Sequence, residues 1–427
     1  MRKIRLPGLE ILEIRAFRRL WVGQAVSQFG DALYGLLFLF IVDKLTGKAA
    51  MVGYVGALQA APFLLVGPYA GLVADRFDRR LVMLFADVAS AVILAALCGV
   101  LLANQRPPVG VIFAAAFLLS LVNVFFLPAK SAAIPALVPP ERLIEANALS
   151  SATQNLMPLL GIGLSGAGLG LLYALYPSLF FLVAAGANAL SFLCSAFCIA
   201  GLPPLRPVRE GLEKRAIHEI ADGFRLIWHD HVLKVSLILG FFLNLFISPF
   251  MVAYIAVNRE WFGGQFGTLA MCEAAFMAAM VVTSVFVGRL KIVRPGLSFV
   301  IGMAGVGISV ALMSNCRTFA GFTFLNLLCG IAVPFAVLPL NTYIQLSVPD
   351  AFRGRVNSAN AMAAQGIVPL SMGMAGMLLD RIGLTAMFLV MGIGFFATAL
   401  AGFMDARFRC ASMPEVPVEA RNEGIRR

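Results

Sequence analysis

The feature that most constrains this chain is a succession of long apolar runs almost free of charge. Crossing the hydrocarbon core of a bilayer takes about 20 such residues in a helix, and twelve runs reach that length. They fall at 17–42, 50–74, 81–103, 109–129, 147–173 and 177–201, and then at 234–257, 267–288, 296–315, 319–340, 356–379 and 384–404. Backbone groups in lipid must be hydrogen-bonded internally, and none of the runs alternates like a barrel strand, so each is expected to be a helix. Only 13% of the 427 residues are charged, against about a quarter in soluble domains. That is too little charge to clothe two or three water-soluble domains, so soluble, disordered and fibrous chains are excluded. Arg15, Arg18 and Arg19 flank a first run that is too long for a cleavable signal peptide and lacks a small-residue cleavage site.

The net charge of +11 is explained by where the basic residues fall. With the amino terminus in the cytoplasm, 27 Lys and Arg lie on the inner side and six on the outer. Lys130 and Arg142 are counted here in the inner loop after the fourth span, and Arg259 on the outer face. Such a bias orients both termini inward. No loop gathers a basic patch, so nucleic acid is not an expected partner. The one long hydrophilic stretch, 202–233, repeats Leu212, Ile217, Ile220, Phe224, Ile227 and Trp228 at near-helical spacing. It reads as an amphipathic cytoplasmic linker between a bundle at 1–201 and a second at 234–404, with 405–427 as a cytoplasmic tail.

The two bundles repeat. Ile134-Pro-Ala-Leu-Val138-Pro139, Asn147 and Gly163-Leu-Ser-Gly166 return 210 residues later as Ile344-Gln-Leu-Ser-Val348-Pro349, Asn357 and Gly373-Met-Ala-Gly376. Parallel six-helix repeats on one chain imply two pseudo-symmetric bundles around a central path, in an all-α membrane protein of twelve spans.

Between the second and third spans stands Gly71-Leu-Val-Ala-Asp75-Arg76-Phe-Asp78-Arg79-Arg80. Its glycine allows close helix approach, Asp75 can cap the following helix, and the arginines can grip carboxylates or helix C-termini. This loop resembles the signature of the major facilitator superfamily, G-x-L-A-D-R-x-G-R-R, with Asp78 where glycine is usual. The resemblance implies that Gly71, Asp75, Arg76, Arg79 and Arg80 control a conformational switch. Asp87, two turns into the next span, is expected to pair with this loop. The fifth span carries Pro158, Gly161, Gly163 and Gly166, which favour tight helix packing. That stretch resembles the antiporter motif of the superfamily's drug exporters, with Ile162 at the position of its proline. It also matches a dinucleotide fingerprint, but no strand precedes it and no acid follows at the required distance.

Carboxylates inside spans cost about 2.5–3.5 kcal/mol each on insertion scales. Asp31 and Glu273 are therefore candidates for proton coupling or substrate contact, since a carboxyl away from water can change protonation with its surroundings. Gln28, Asn123, Asn155, Asn244, Asn326 and Gln365 are candidates for a cavity wall. No Lys or Arg lies at a span centre, which disfavours small anionic substrates. All three histidines fall in the linker and the seven cysteines are scattered, so no metal site, disulfide framework or other cofactor is expected. Nothing assembles a nucleophile and base, so no enzyme is expected either.

Leu127-Pro-Ala-Lys130, Ala146-Asn-Ala-Leu149 and Arg353-Gly-Arg-Val356 resemble the part of the superfamily holding macrolide-efflux proteins and the enterobactin exporter. The resemblance implies a monomer of the bacterial inner membrane that rocks about a midplane cavity and exports a bulky amphiphile, such as a drug or siderophore, against protons. Pro128-Ala-Lys130 and Leu338-Pro-Leu-Asn341 also fit the bacterial lysophospholipid transporters, which makes lipid translocation the alternative.

Overall fold

The computed structural model describes residues 10–104, 107–206, 224–348 and 350–414, and among them every regular element is helical. The first half forms α1 (Arg15–Thr46), α2 (Ala49–Arg76), α3 (Arg79–Ala103), α4 (Val109–Leu137), α5 (Leu143–Leu175) and α6 (Pro177–Ala200). The second forms α7 (His231–Ile247), α8 (Pro249–Trp261), α9 (Phe266–Arg289), α10 (Pro295–Met313), α11 (Phe319–Ser347), α12 (Asp350–Gly366), α13 (Val368–Met404) and the short α14 (Ala406–Cys410). Most of the expected linker helix, 207–223, lies outside the described residues; 224–229 are helical.

Ten segments among the described residues are long and apolar enough to cross a membrane. The longest, 355–404, contains the eleventh and twelfth expected spans. They separate at Gly383, whose φ of 76° lies in the left-handed region that glycine enters without steric cost. The fifth expected span is α5. Two other breaks sit beside prolines. The seventh span divides at Ser248, before Pro249, and the eleventh at Ile367, before Pro369. Proline brings no N–H and its ring crowds the carbonyl one turn back, so the helical ladder stops there. The repeat survives in three dimensions: α11 begins and ends 210 residues after α4.

Packing divides the chain into two compact units. The first holds 1–216 together with 251–274 and 368–381, and the second holds 217–250, 275–367 and 382–427. The units thus differ from the sequence halves, because short stretches of α8, α9 and α13 pack with the first six helices.

Within the first unit, α1 packs on α2, α5 and α6, while α3 lies against α4 and α6. Phe17, Leu20, Met83, Phe126, Ile134 and Leu137 form its buried cluster. Phe85 and Phe197 are 73% and 84% exposed, which suits faces turned to lipid rather than water. A Cβ on Gly161 would stand 2.6 Å from that of Ala32, so the fifth-span glycine serves a close α1–α5 crossing. Within the second unit, α10 lies along α11, and Ser298 donates to the carbonyl of Phe335 at 2.7 Å. A Cβ on Gly302 would lie 2.6 Å from the backbone nitrogen of Ala336. His231, expected on a solvated linker, instead opens α7 and bonds Asp405 at 2.7 Å. Burial alone would push the Asp405 carboxyl up, but the Phe408 N–H and His231 outweigh it and hold the group below its usual range.

Helix apposition in lipid depends on such small residues. Gly302→Leu should therefore destabilise the purified protein by about 1–3 kcal/mol, seen as a lowered melting temperature in detergent. Gly240→Leu, where a Cβ meets nothing within 4 Å, should not lower it.

Candidate functional site

The loop between α2 and α3 is built by arginine contacts with backbone carbonyls. Arg79 donates to the carbonyls of Ala74 at 3.4 Å and Ala132 at 3.0 Å, tying α2 to α4. Arg80 reaches the carbonyl of Ala200, and Arg19 that of Gly201, so both grip the end of α6. Capping falls to Asp78 rather than Asp75. The Asp78 carboxylate accepts from the N–H of Arg80 and from that of Leu205, each at 3.0 Å. The residue that departs from the superfamily pattern thus starts α3 and anchors the segment after α6. Asp75 and Arg76 are exposed, and a Cβ on Gly71 would meet nothing within 4 Å. Close helix approach is therefore not what this glycine provides.

Asp87 does not pair with that loop. It is 1% exposed, its Oδ2 has no partner, and among the described residues no arginine bonds it. It faces inward instead, next to Ser195 and within electrostatic reach of Asp31. Asp31 Oδ1 is likewise buried without a partner. A polar stripe on α6, Asn188, Ser191 and Ser195, is buried in the same region. Gly30 makes room for it, since a Cβ there would overlap Ser191 and Asn188. Helical spacing in the sequence is the signal by which that stripe could have been found. Glu273 is 2% exposed, so it too is held away from water.

The amides separate into different surroundings. Gln28 donates to Gln24 at 3.4 Å, which leaves Gln28 Oε1 and Gln24 Nε2 buried without partners. Asn244 is satisfied within its own helix by the carbonyl of Gly240 at 2.9 Å. Asn326 is wholly buried with both amide atoms unpartnered. Asn123 is half-buried, and Gln365 is exposed. The side chains of Asn155, Pro158, Gly163 and Gly166 lie outside those described.

Lys130 is the main departure from expectation. The fourth expected span ends at residue 129 with Lys130 in the loop after it, yet α4 continues to Leu137 and carries Lys130 within it, 6% exposed. Phe126, Ala129, Lys130, Ala133, Ile134 and Leu137 follow one another at helical spacing as a single buried face. The helix of the fourth span therefore holds a buried basic residue, in its last third rather than at its centre.

Sequence reasoning also missed an ion pair. Arg259 donates to Asp43, a carboxylate 4% exposed at the end of α1. Nearby, the carboxylate of Asp380 accepts from the N–H groups of Ala49 at 3.0 Å and Ala50 at 2.8 Å. It thereby caps α2 with the charge that a helix N-terminus favours. Phe40, Tyr173, Phe180 and Phe266 meet edge to face or tilted beside Asp43, with Lys44 over Phe40 at 5.2 Å. Charges are few at the ends of the spans on that side, and an acid and a base there were the available signal.

A sequence profile of the Major Facilitator Superfamily matches residues 20–371. The chain is 23% identical over 379 residues to macrolide efflux protein A of Streptococcus pyogenes, covering 88% of this chain and 92% of that one. It is 25% identical over 369 residues to the enterobactin exporter EntS of Escherichia coli, covering 82% of each. Among solved structures, a POT family transporter in complex with 5-aminolevulinic acid superposes with a TM-score of 0.72 at 14% identity, over 93% of this chain and 97% of that one. The nucleoside transporter NupG superposes with a TM-score of 0.70 at 14% identity, over 91% and 98%. These superpositions show a shared fold.

The capping geometry has a direct consequence. Asp78→Ala should cost about 1 kcal/mol of stability, read as a lower melting temperature. Asp75→Ala should stay within about 0.5 kcal/mol of the parent, whatever it does to function.

Proposed function

Because the chain belongs to the Major Facilitator Superfamily, we propose that it is a secondary exporter that moves a bulky amphiphile out of the cell in exchange for protons. The family makes it a multi-pass membrane transporter and not an enzyme. The finer reading rests above all on the Asp31–Asp87 pair. Two carboxyls share a region of α1, α3 and α6 where an unshielded charge is costly, and neither has a cation to neutralise it. Their proton occupancy then depends on whether that region is open to water, which is the property a coupled exchanger needs. Efflux and export are the functions named for macrolide efflux protein A and the enterobactin exporter EntS, each matching over 80% of the chain, and macrolides and enterobactin are both large and partly apolar. The basic-residue bias supports both termini in the cytoplasm, and the bacterial relatives support the inner membrane of a bacterium.

Alternating access has its own support. The chain leaves one compact unit for the other beside Pro249 and Pro369, where interrupted helices can bend with little loss of hydrogen bonding. In the first unit, Arg259–Asp43 and the Asp380 cap hold the ends of α8 and α13 against α1 and α2. These contacts would have to part for that side to open.

Transport into proteoliposomes with an imposed pH gradient tests the coupling. Uptake of a macrolide or of enterobactin should follow the gradient, and Asp31→Asn should abolish the gradient-driven part. Uptake indifferent to both would defeat the reading, and lysophospholipid movement without a gradient would replace it. A second experiment tests alternation. Arg259 and Asp43 are close enough to form an ion pair. Asp43→Cys with Arg259→Cys, in a background cleared of the native cysteines, should be joined by a bis-maleimide that carries a central disulfide. Transport should stop and return on reduction, whereas a channel would keep conducting.

A further inference from the structure

The buried Lys130 has no use in the exchange described above. It projects from α4 into a cavity of about 10 Å³ lined by Phe17, Trp21, Gln24, Gln28, Ser150 and Thr153, along with Leu20. Lys130 makes no ion pair or hydrogen bond among the described residues, and no carboxylate there is near enough to act on it. A cation held in such a place needs compensation. The other groups at the cavity decide what kind. Thr153 has no donor to spare, since its hydroxyl donates to the carbonyl of Leu149 while accepting from Trp21 Nε1, both at 2.8 Å. What remains is three donors, the ammonium of Lys130, the hydroxyl of Ser150 and the unpartnered Nε2 of Gln24, against one unpartnered acceptor, Oε1 of Gln28. Donors in excess, one of them a cation, favour an anionic oxygen.

We propose that Lys130, Gln24 and Ser150 form an oxyanion subsite for the charged terminus, carboxylate or phosphate, of an amphiphile. The space admits a single water-sized group, so one oxygen of a larger molecule fits where a whole free anion does not. Phe17 and Leu20, both fully buried, give the site an apolar wall suited to the carbon chain next to that charge. The inference rests on the export reading only for the amphiphilic character of the substrate.

Trp21 supplies the readout. With Trp228→Phe and Trp261→Phe, it is the last of the three tryptophans in the chain. The detergent-purified protein is titrated with dodecyl phosphate and with decanoate, using dodecanol as the neutral control. Both anions should change Trp21 emission saturably, and dodecanol should not. Lys130→Met should weaken the response about tenfold or more, as expected for losing a hydrogen bond to a charged group. If that variant does not fold, Lys130→Gln carries the same comparison. Competition by lysophosphatidate but not by inorganic phosphate would identify a lipid-type head group. Competition by inorganic phosphate would show that a whole free anion enters, and would overturn the proposal of a site for one oxygen of a larger molecule. Equal response to dodecanol, or unchanged affinity in folded Lys130→Met, would overturn the proposal. Binding is read without any gradient, so this result and that for proton coupling can fail separately.

Discussion

A hydrocarbon interior offers no water to a polar group, and the rest of the molecule answers to that one condition. Backbone amides satisfy it by staying in helices, which is why long apolar runs become helices whatever their local propensities. Side-chain charge satisfies it by moving to the ends of the helices. Arg19, Arg79 and Arg80 illustrate this, since their guanidinium groups bond the carbonyls of Gly201, Ala74 and Ala200 at helix ends. Those carbonyls lack partners of their own, so one contact completes two incomplete groups. On the opposite ends of the same bundle, Asp380 does the converse for the N–H groups that open α2.

Polar atoms that escape this rule are then informative. Asp31, Asp87, Gln24, Gln28 and Asn326 each keep a buried polar atom without a partner, and burying such an atom costs about 1–3 kcal/mol. A fold optimised only for stability would have little reason to retain them. Four of the five lie in α1 and α3, so the cost is concentrated in the first unit. That is where the acid pair and Lys130 are found.

Much of this was legible before any coordinates. Twelve spans, the repeat and the superfamily loop follow from run length, a constant offset and a short motif, because lipid enforces the first and helix packing the second. Other features were not legible, for identifiable reasons. Pro128 is a helix breaker in water, but inside a bundle its neighbours tolerate it, and α4 carries on past Lys130. Asp75 has the right residue type to cap α3, but α2 runs on to Arg76, which leaves Asp78 one residue before the next helix. Asp87 is separated from Arg79 and Arg80 by about two turns of helix, and its side chain meets α6 instead. Facing direction, unlike spacing, is decided by neighbours that lie far away in the chain.

The repeat finally separates scaffold from chemistry. α4 and α11 match end for end, yet their polar residues do not coincide. At the same offset Lys130 corresponds to Leu340, and Asn123 to Val333, while Asn326 corresponds to Ala116. Leu340 and Ala116 are both buried, so these are equivalent interior positions filled with opposite chemistry. A duplicated bundle needs the same helix lengths and close approaches in both copies in order to fold. It needs a charge in only one of them, because a second buried cation would carry the same desolvation cost and compete for the same anionic group. Two copies of one fold can therefore keep their geometry in common while only one of them holds the lysine and the acid pair.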